Sequence, residues 1–217
     1  MYQTTASLHS NHPQRSPEWH TERIGKFTSS KASVLLGEKG LGEMGKTYAL
    51  QLAVDIVEGI DYDARESSMT WDMKNGIETE PFAFDKFKHL KSLDFIDVVN
   101  CGFFTLNKDV GGSPDGLVGN DAVLEIKCPK SDTFFKLVKT LEIDKAHYNQ
   151  VQHQMWVSGK ERAYYFNYVL HIGVEKWHEI IIQRDEKVID LLKKRTIEAI
   201  EIRNDYIEVL KKNRQYK

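Results

Sequence analysis

The sequence contains only two cysteines, Cys101 and Cys128. They make no disulfide framework, and they point to a reducing compartment inside a cell. They are also too few for a four-cysteine zinc or iron–sulfur site within one chain. No apolar run approaches membrane-spanning length, and the polar N-terminus lacks the apolar core of a secretion signal. The expectation is a cytoplasmic protein with no membrane partner. An excess of charge is missing too. Thirty basic and 32 acidic residues leave a net charge of −2, so there is no global basic signature of a nucleic-acid binder. A basic groove can still sit within a neutral total, and metal-binding carboxylates count as negative until they are filled. Repeats and low-complexity segments are absent. The remainder, 41% hydrophobic and 29% charged over 217 residues, suits one globular domain.

The stretch from Gly111 to Pro129 organises the chain. It reads as two short strands joined by a tight turn at Gly119-Asn120-Asp121. Ala122, Leu124, Ile126 and Cys128 alternate onto one apolar face, which leaves Glu125 and Lys127 together on the other. If all three turn residues form the loop, Val118 pairs with Ala122 and Asp115 with Glu125, and directly opposed residues share a face. A two-residue turn would put the two carboxylates on opposite faces. With the longer loop, two acids and one lysine converge. Carboxylates that close repel each other unless a cation lies between them. Mg²⁺ or Mn²⁺ is the natural occupant of such a hard, all-oxygen site. Lys127 could then orient or deprotonate a water, or stabilise developing negative charge. The plainer alternative is a hairpin with an exposed cross-strand salt bridge.

Three other stretches carry chemistry. Ser16-Pro17 opens a helix, with Ser16 as N-cap and proline at the first position. Thr28-Ser29-Ser30 leads into a second helix. Exposed N–H groups, two hydroxyls and nearby Arg23 would make a phosphate cradle there, against the alternative of plain capping. Glu78 and Glu80 precede Pro81 in a helical pattern from Trp71 to His89 that proline should kink or restart. They are candidates for a further carboxylate. Ala146 to Ser158 is helical and unusually polar, with amides and histidines that should face outward and with Gln150 and Gln154 on one face. His147 and His153 there could pair on a metal, but a hard oxygen site favours surface positions or a supporting role for them.

These motifs resemble the phosphodiesterase pattern P-D…(D/E)-x-K, at Pro114-Asp115 and Glu125-Ile126-Lys127. The longer strings Ser-Pro-Asp-Gly-Leu and Leu-Glu-Ile-Lys-Cys-Pro are similar to the phage lambda exonuclease and YqaJ-type viral recombinase family. The resemblance extends from about Trp19 to about Glu186. It includes Trp19, His20, Arg23, Gly25, Thr28 and Ser30, a Gly-x-x-x-Glu that selects Gly76 and Glu80, and Gln-x-Gln-x-x-Met-x-Val beginning at Gln150.

The resemblance implies an α/β (α+β), restriction-endonuclease-like core, with a central mixed sheet flanked by helices. It implies a 5′→3′ exonuclease that degrades one strand of linear duplex DNA to 5′-mononucleotides and leaves 3′ tails for annealing. Asp115, Glu125 and the Ile126 carbonyl would hold Mg²⁺ or Mn²⁺, with two ions per site. Lys127 would activate water, Gln150 would help place it, and Glu80 would support the second ion. Trp19, Arg23, Thr28 and Ser30 would form the pocket for the 5′-phosphate. A homotrimer ring, a single-strand annealing partner and a phage or prophage-like origin follow from the same resemblance. An endonuclease on the same core and an inactive DNA-binding protein are the rivals.

Along the rest of the chain, residues 1–15 read as a flexible arm and 16–217 as one domain. Gly37 to Gly45 reads as a flexible connection. Residues 46–58 form a helix with a core stripe of Ala49, Leu52, Ala53, Ile56, Val57 and Ile60. Residues 59–69 form a polar loop. Asp94–Val99 and Cys101–Leu106 should meet as a hairpin near Asn100. Ser131 should cap a short helix, and the runs 162–170 and 177–183 should add edge strands. Asp109 receives no role. A long C-terminal helix from Asp185 to Lys212 carries two apolar stripes, one through Val188, Leu192 and Ala199, the other through Ile189, Ile197, Ile200 and Ile207.

Overall fold

The structure is a computed structural model that describes residues 8–61, 71–171 and 173–214. Residues 1–7 of the expected arm and most of the expected 59–69 loop lie outside them. The elements are β1 (Leu8–His9), α1 (Pro17–Arg23), a 3-10 segment (Ser29–Leu35), α2 (Gly42–Glu58), α3 (Trp71–Ser92), β2 (Val98–Asn100), β3 (Phe104–Thr105), β4 (Gly111–Gly112), β5 (Gly116–Val118), β6 (Ala122–Lys127), α4 (Ser131–Thr140), α5 (Lys145–Ser158), β7 (Arg162–His171), β8 (Val174–Gln183) and α6 (Glu186–Arg214). Five strands form a mixed sheet in the order β2-β5-β6-β7-β8, and β1-β3-β4 form a second, small sheet.

The β5–β6 hairpin has the three-residue loop. Val118 pairs with Ala122 and Gly116 with Leu124, which brings Asp115 alongside Glu125. Gly119 opens the turn at φ +54, a left-handed conformation that favours glycine. β6 is parallel to β7, and this pairing places β7 inside the sheet. β7 is therefore not an edge strand as expected; β8 alone borders the sheet on that side. Ten residues joined by only Lys160 and its neighbours to helix α5 are long enough to pair on both sides at once.

β6 is buried on both faces, which its alternating pattern did not suggest. On one face Ala122, Leu124 and Ile126 join Tyr164, Phe166 and Tyr168 under Ala83 and Phe87 of α3. On the other, Val123 joins Ala163, Tyr165 and Ile182 under Val151 and Met155 of α5 and Leu137 of α4. Fully burying a side chain such as Phe87 contributes roughly 1.5–3 kcal/mol. Helix α3 runs through Pro81 without a break in its assignment, although proline leaves one carbonyl of the preceding turn without its N–H donor.

Several expectations need correction. Residues 94–106 do not form a hairpin: β2 pairs with β5 in the large sheet, whereas β3 pairs with β1 and β4 in the small one. The N-terminal segment takes the place beside β3. Ser10 N–H donates to the Phe103 carbonyl at 2.9 Å, and a Cβ at Gly102 would collide with the Ser10 carbonyl. From Leu8 onward the expected loose arm is thus tied to the core. The segment after Thr28 is a 3-10 helix, and Thr28 makes no side-chain cap. Lys130 rather than Ser131 stands at the N-cap of α4. Helix α2 begins at Gly42, and its buried face runs through Gly45, Tyr48, Ala49, Leu52 and Ala53, leaving Ile56 and Ile60 exposed.

The long helix α6 buries one stripe, not two. Ile189, Leu192, Thr196, Ala199, Arg203 and Ile207 follow a three-four spacing and face inward, whereas Leu191, Ile197 and Val209 are exposed. Arg203 is a charged member of that stripe. Its guanidinium donates to the Gly25 carbonyl at 2.6 Å and to Asp109 Oδ1 at 2.5 Å. Asp109 is therefore a structural partner of α6. Asp109→Ala leaves Arg203 buried without its counter-ion and should cost about 3–5 kcal/mol, read as a lower urea midpoint. Replacing both residues with apolar side chains should recover most of that loss. Equal midpoints for Asp109→Ala and the parent would show that the pair holds nothing.

Candidate active site

Glu125 lies on an interior strand and is 2% exposed, so the exposed-salt-bridge alternative fails on burial. Its carboxylate is held on every side. Lys127 Nζ lies 2.7 Å from Oε1. Gln150 Nε2 donates to Oε1 at 2.7 Å, and Gln154 Nε2 donates to Oε2 at 2.5 Å. Lys127 also donates to Gln150 Oε1 at 3.2 Å, which closes the network. The two glutamines are four apart on α5, so one helical face presents both amides to the strand beneath. Asp144 sets the helix start by accepting from Ala146 N–H at 2.7 Å.

Asp115 accepts from the Ile126 N–H at 2.6 Å. Burial, then the nearby Glu125 and Glu80 carboxylates, push its pKa up. The Lys127 pKa is also raised: burial opposes its charge, but Glu125, then Asp115, outweigh that cost. Lys127 is accordingly an ammonium at neutral pH. Glu80 shares a cavity of about 620 Å³ with Asp115 and Ile126, whereas Glu78 is exposed. Arg15 Nη2 reaches Glu80 Oε2 at 3.1 Å. Burial holds the thiols of Cys101 and Cys128 at pKa values of about 12, so neither is a nucleophile at neutral pH.

The donor set suits a hard divalent ion. Asp115 and Glu125 offer oxygens, the Ile126 carbonyl follows Glu125 directly in sequence, and a cation would relieve the repulsion felt by Asp115. Among the described residues no three acidic, histidine or cysteine side chains form a metal cage by themselves. A Mg²⁺ ion, which keeps several of its waters, does not need one.

The residues expected around the 5′-phosphate fall into two linked groups. Thr28 Oγ1 lies 3.5 Å from Ser30 Oγ and 3.3 Å from Tyr48 OH, with Ser30 exposed. Arg23 is 6% exposed; it stacks on the Trp19 ring at 4.2 Å and donates through Nε to Asp61 at 3.2 Å. The outward-facing polar residues expected on α5 are instead buried. Asn149, Gln152, His153 and Gln154 all lie under 4% exposure, packed between sheet, 3-10 segment and α6. His153 Nδ1 hydrogen-bonds Ser29 Oγ at 2.9 Å, and His147 Nδ1 hydrogen-bonds Tyr165 OH at 2.7 Å. The two histidines have separate partners, so they support neighbouring elements. Gln154 was not among the expected site residues, although its four-residue offset from Gln150 was visible. Nothing in sequence marks Asp61.

A mixed sheet with two acids and a lysine gathered at the far end of its parallel seam, clasped by glutamines of the covering helix, defines the class: it is the fold of solved exonucleases. The model of the YqaJ-like viral recombinase domain matches residues 18–161, and the chain belongs to that family. The structure is similar to an alkaline exonuclease from Laribacter hongkongensis (24% identity, 93% of this chain and 99% of that chain, TM-score 0.79). A structure of the Laribacter enzyme in complex with dAMP gives 23% identity, the same coverage and a TM-score of 0.78. A phage related exonuclease from Haemophilus somnus is 17% identical over 85% of this chain and 96% of that one, with a TM-score of 0.64. The comparison with curated proteins returned no match.

Two stability measurements follow from the charges. The raised pKa of Asp115 means that its contribution is favourable at low pH and is lost as pH rises through the folded-state value. Asp115→Asn keeps an acceptor for Ile126 N–H and removes the repulsion. In EDTA at neutral pH it should raise Tm by about 2–4 °C; a lowered Tm would contradict the repulsion. His153 behaves oppositely. Burial lowers its pKa to about 3 from an unfolded value of 6.5. The unfolded chain therefore takes up a proton first, and stability falls as pH drops from 6.5 toward 3. His153→Gln should flatten that part of the stability–pH curve, measured by urea unfolding; an unchanged slope would rule His153 out as its source.

Proposed function

We propose that this protein is a metal-dependent 5′→3′ exonuclease that shortens one strand of linear duplex DNA to 5′-mononucleotides and leaves 3′ single-stranded tails for annealing. The observation that carries the reading is the buried Glu125 carboxylate, clasped by Lys127, Gln150 and Gln154 beside Asp115, in a chain of the viral recombinase family. Asp115, Glu125 and the Ile126 carbonyl would hold Mg²⁺ or Mn²⁺, with Glu80 serving a second ion. Such ions polarise a phosphoryl oxygen and lower the pKa of a bound water.

The chain's own residues do the rest. The Lys127 ammonium stabilises the charge that develops on the phosphoryl oxygens and orients the attacking water. Gln150 touches both Lys127 and Glu125, so it fixes their separation and can place that water. Gln154 holds the far oxygen of Glu125 and stops the carboxylate from rotating. Arg23, Thr28 and Ser30 bind the 5′-phosphate and set polarity, with Trp19 under the guanidinium. The Laribacter structure in complex with dAMP supports a nucleoside monophosphate as the kind of product such a site accommodates. A ring of three subunits around the duplex and transfer of the exposed strand to an annealing protein complete the proposal. Exposed Leu191, Ile197 and Val209 on α6 are compatible with contacts between subunits.

The test is digestion of linear duplex DNA labelled at either end, in Mg²⁺ or EDTA, beside Lys127→Ala and a covalently closed circle. Mononucleotides should leave the phosphorylated 5′ end only with Mg²⁺. Lys127→Ala should lower kcat by about 10²–10³. Equal cutting of closed circles would replace the exonuclease reading with an endonuclease. No cutting with Mg²⁺ or Mn²⁺ would leave a DNA-binding protein.

A further inference from the structure

The two parts of the proposed machinery, the phosphate pocket and the hydrolytic hairpin, belong to distant stretches of sequence. One indole joins them. Trp19 Nε1 donates to Ser113 Oγ at 3.0 Å, and Ser113 stands two residues before Asp115. Ser113 in turn donates to the Gly102 carbonyl, and Gln14 Nε2 donates to the Pro114 carbonyl at 2.9 Å, so the segment leading to Asp115 is held from both sides. The face of the indole carries the Arg23 guanidinium, 4.2 Å from the ring centroid. Beyond Arg23 lies Asp61, which accepts from Arg23 Nε at 3.2 Å and from His20 Nδ1 at 2.7 Å.

Trp19, Arg23 and Asp61 are each less than 9% exposed. A buried arginine held by a carboxylate and a ring face has little freedom to follow a phosphate. Its position is set by the ring, and the ring is set by Ser113. Asp61 pairs with the guanidinium through Nε, at 3.2 Å, and so fixes the turn of the fork about its own axis.

We propose that Trp19 and Asp61 are positioning residues that form a rigid strut with Arg23, and that this strut fixes the offset between the 5′-phosphate and Asp115 and so sets the removal of one nucleotide per cut. The inference rests on the 5′-phosphate reading above. A strut of packed side chains transmits position because neither the ring nor the guanidinium can shift without leaving a buried polar group unpaired.

The experiment uses the full-length protein on linear duplexes ending in 5′-phosphate or 5′-hydroxyl, with product lengths resolved on a gel. Asp61→Asn, which keeps the shape and removes the charge, should cut the kcat/KM preference for 5′-phosphate by about tenfold, mainly through KM. Trp19→Phe keeps a ring face for Arg23 and loses the N–H; it should release dinucleotides and longer products among the mononucleotides. Ser113→Ala deletes the same hydrogen bond from its other end and serves if Trp19→Phe fails to fold. Folded variants that keep both the parental preference and pure mononucleotide release would overturn the strut. Equal losses of kcat on both ends, with product length unchanged, would also overturn it, because they mark a structural role only. A parent protein with no preference for a 5′-phosphate would instead remove the reading on which the strut rests.

Discussion

The structure depends on keeping one carboxylate, Glu125, charged inside a sheet that is covered on both faces. An isolated buried carboxylate would cost several kcal/mol or take up a proton. Here Lys127 answers the charge and two glutamine amides answer the lone pairs. That demand accounts for the composition of α5, a helix that is polar on nearly every side and buried all the same. Gln150 and Gln154 face the sheet, Gln152 ties to the Gln183 carbonyl and the Asp185 N–H, and His153 meets Ser29. A helix of that composition would be solvated if it lay on a surface. It stays buried because each of these side chains finds a partner on an adjoining element, although His153 Nε2 and Gln154 Oε1 are left without one.

Long-range ties of the same kind gather the site from scattered segments. The N-terminal strand β1 holds β3, Gln14 and Trp19 hold the segment leading to Asp115, and Arg203 of the last helix holds Asp109 and the Gly25 carbonyl. These contacts cross most of the chain. The segment from Leu8 to Trp19 and the last helix thus converge on the backbone that flanks one short hairpin, and Asp115 is confined to a site whose walls are already hydrogen-bonded. Repulsion stored at Asp115 and the rigidity of its surroundings belong together: a looser frame would let the carboxylates part.

Local patterns were the legible part of the sequence. Gly119-Asn120-Asp121 marked the turn, and of the two loop lengths open to it the structure has the three-residue one, which brings Asp115 and Glu125 together. Ser16-Pro17 foretold the start of α1. The errors came where tertiary contacts decide. The alternation of β6 suggested one wet face, but α5 covers it. The 94–106 segment had two β-rich runs, but the N-terminal residues compete for one of them and draw it into another sheet.

By itself the sequence determined the chemical inventory and part of the local geometry: where the hairpin turns, that a three-residue turn would set Asp115 opposite Glu125, and where α1 begins. Those properties depend on neighbours a few positions away, through turn length, capping and the period of a strand. Tertiary structure alone decided which polar groups are buried. Gln154 became a clasp, Asp109 a structural counter-ion and Asp61 an anchor because each meets a partner 29, 94 or 38 positions away. No periodicity in the sequence encodes such a meeting; it is settled when the layers pack and every charge left inside must find its complement.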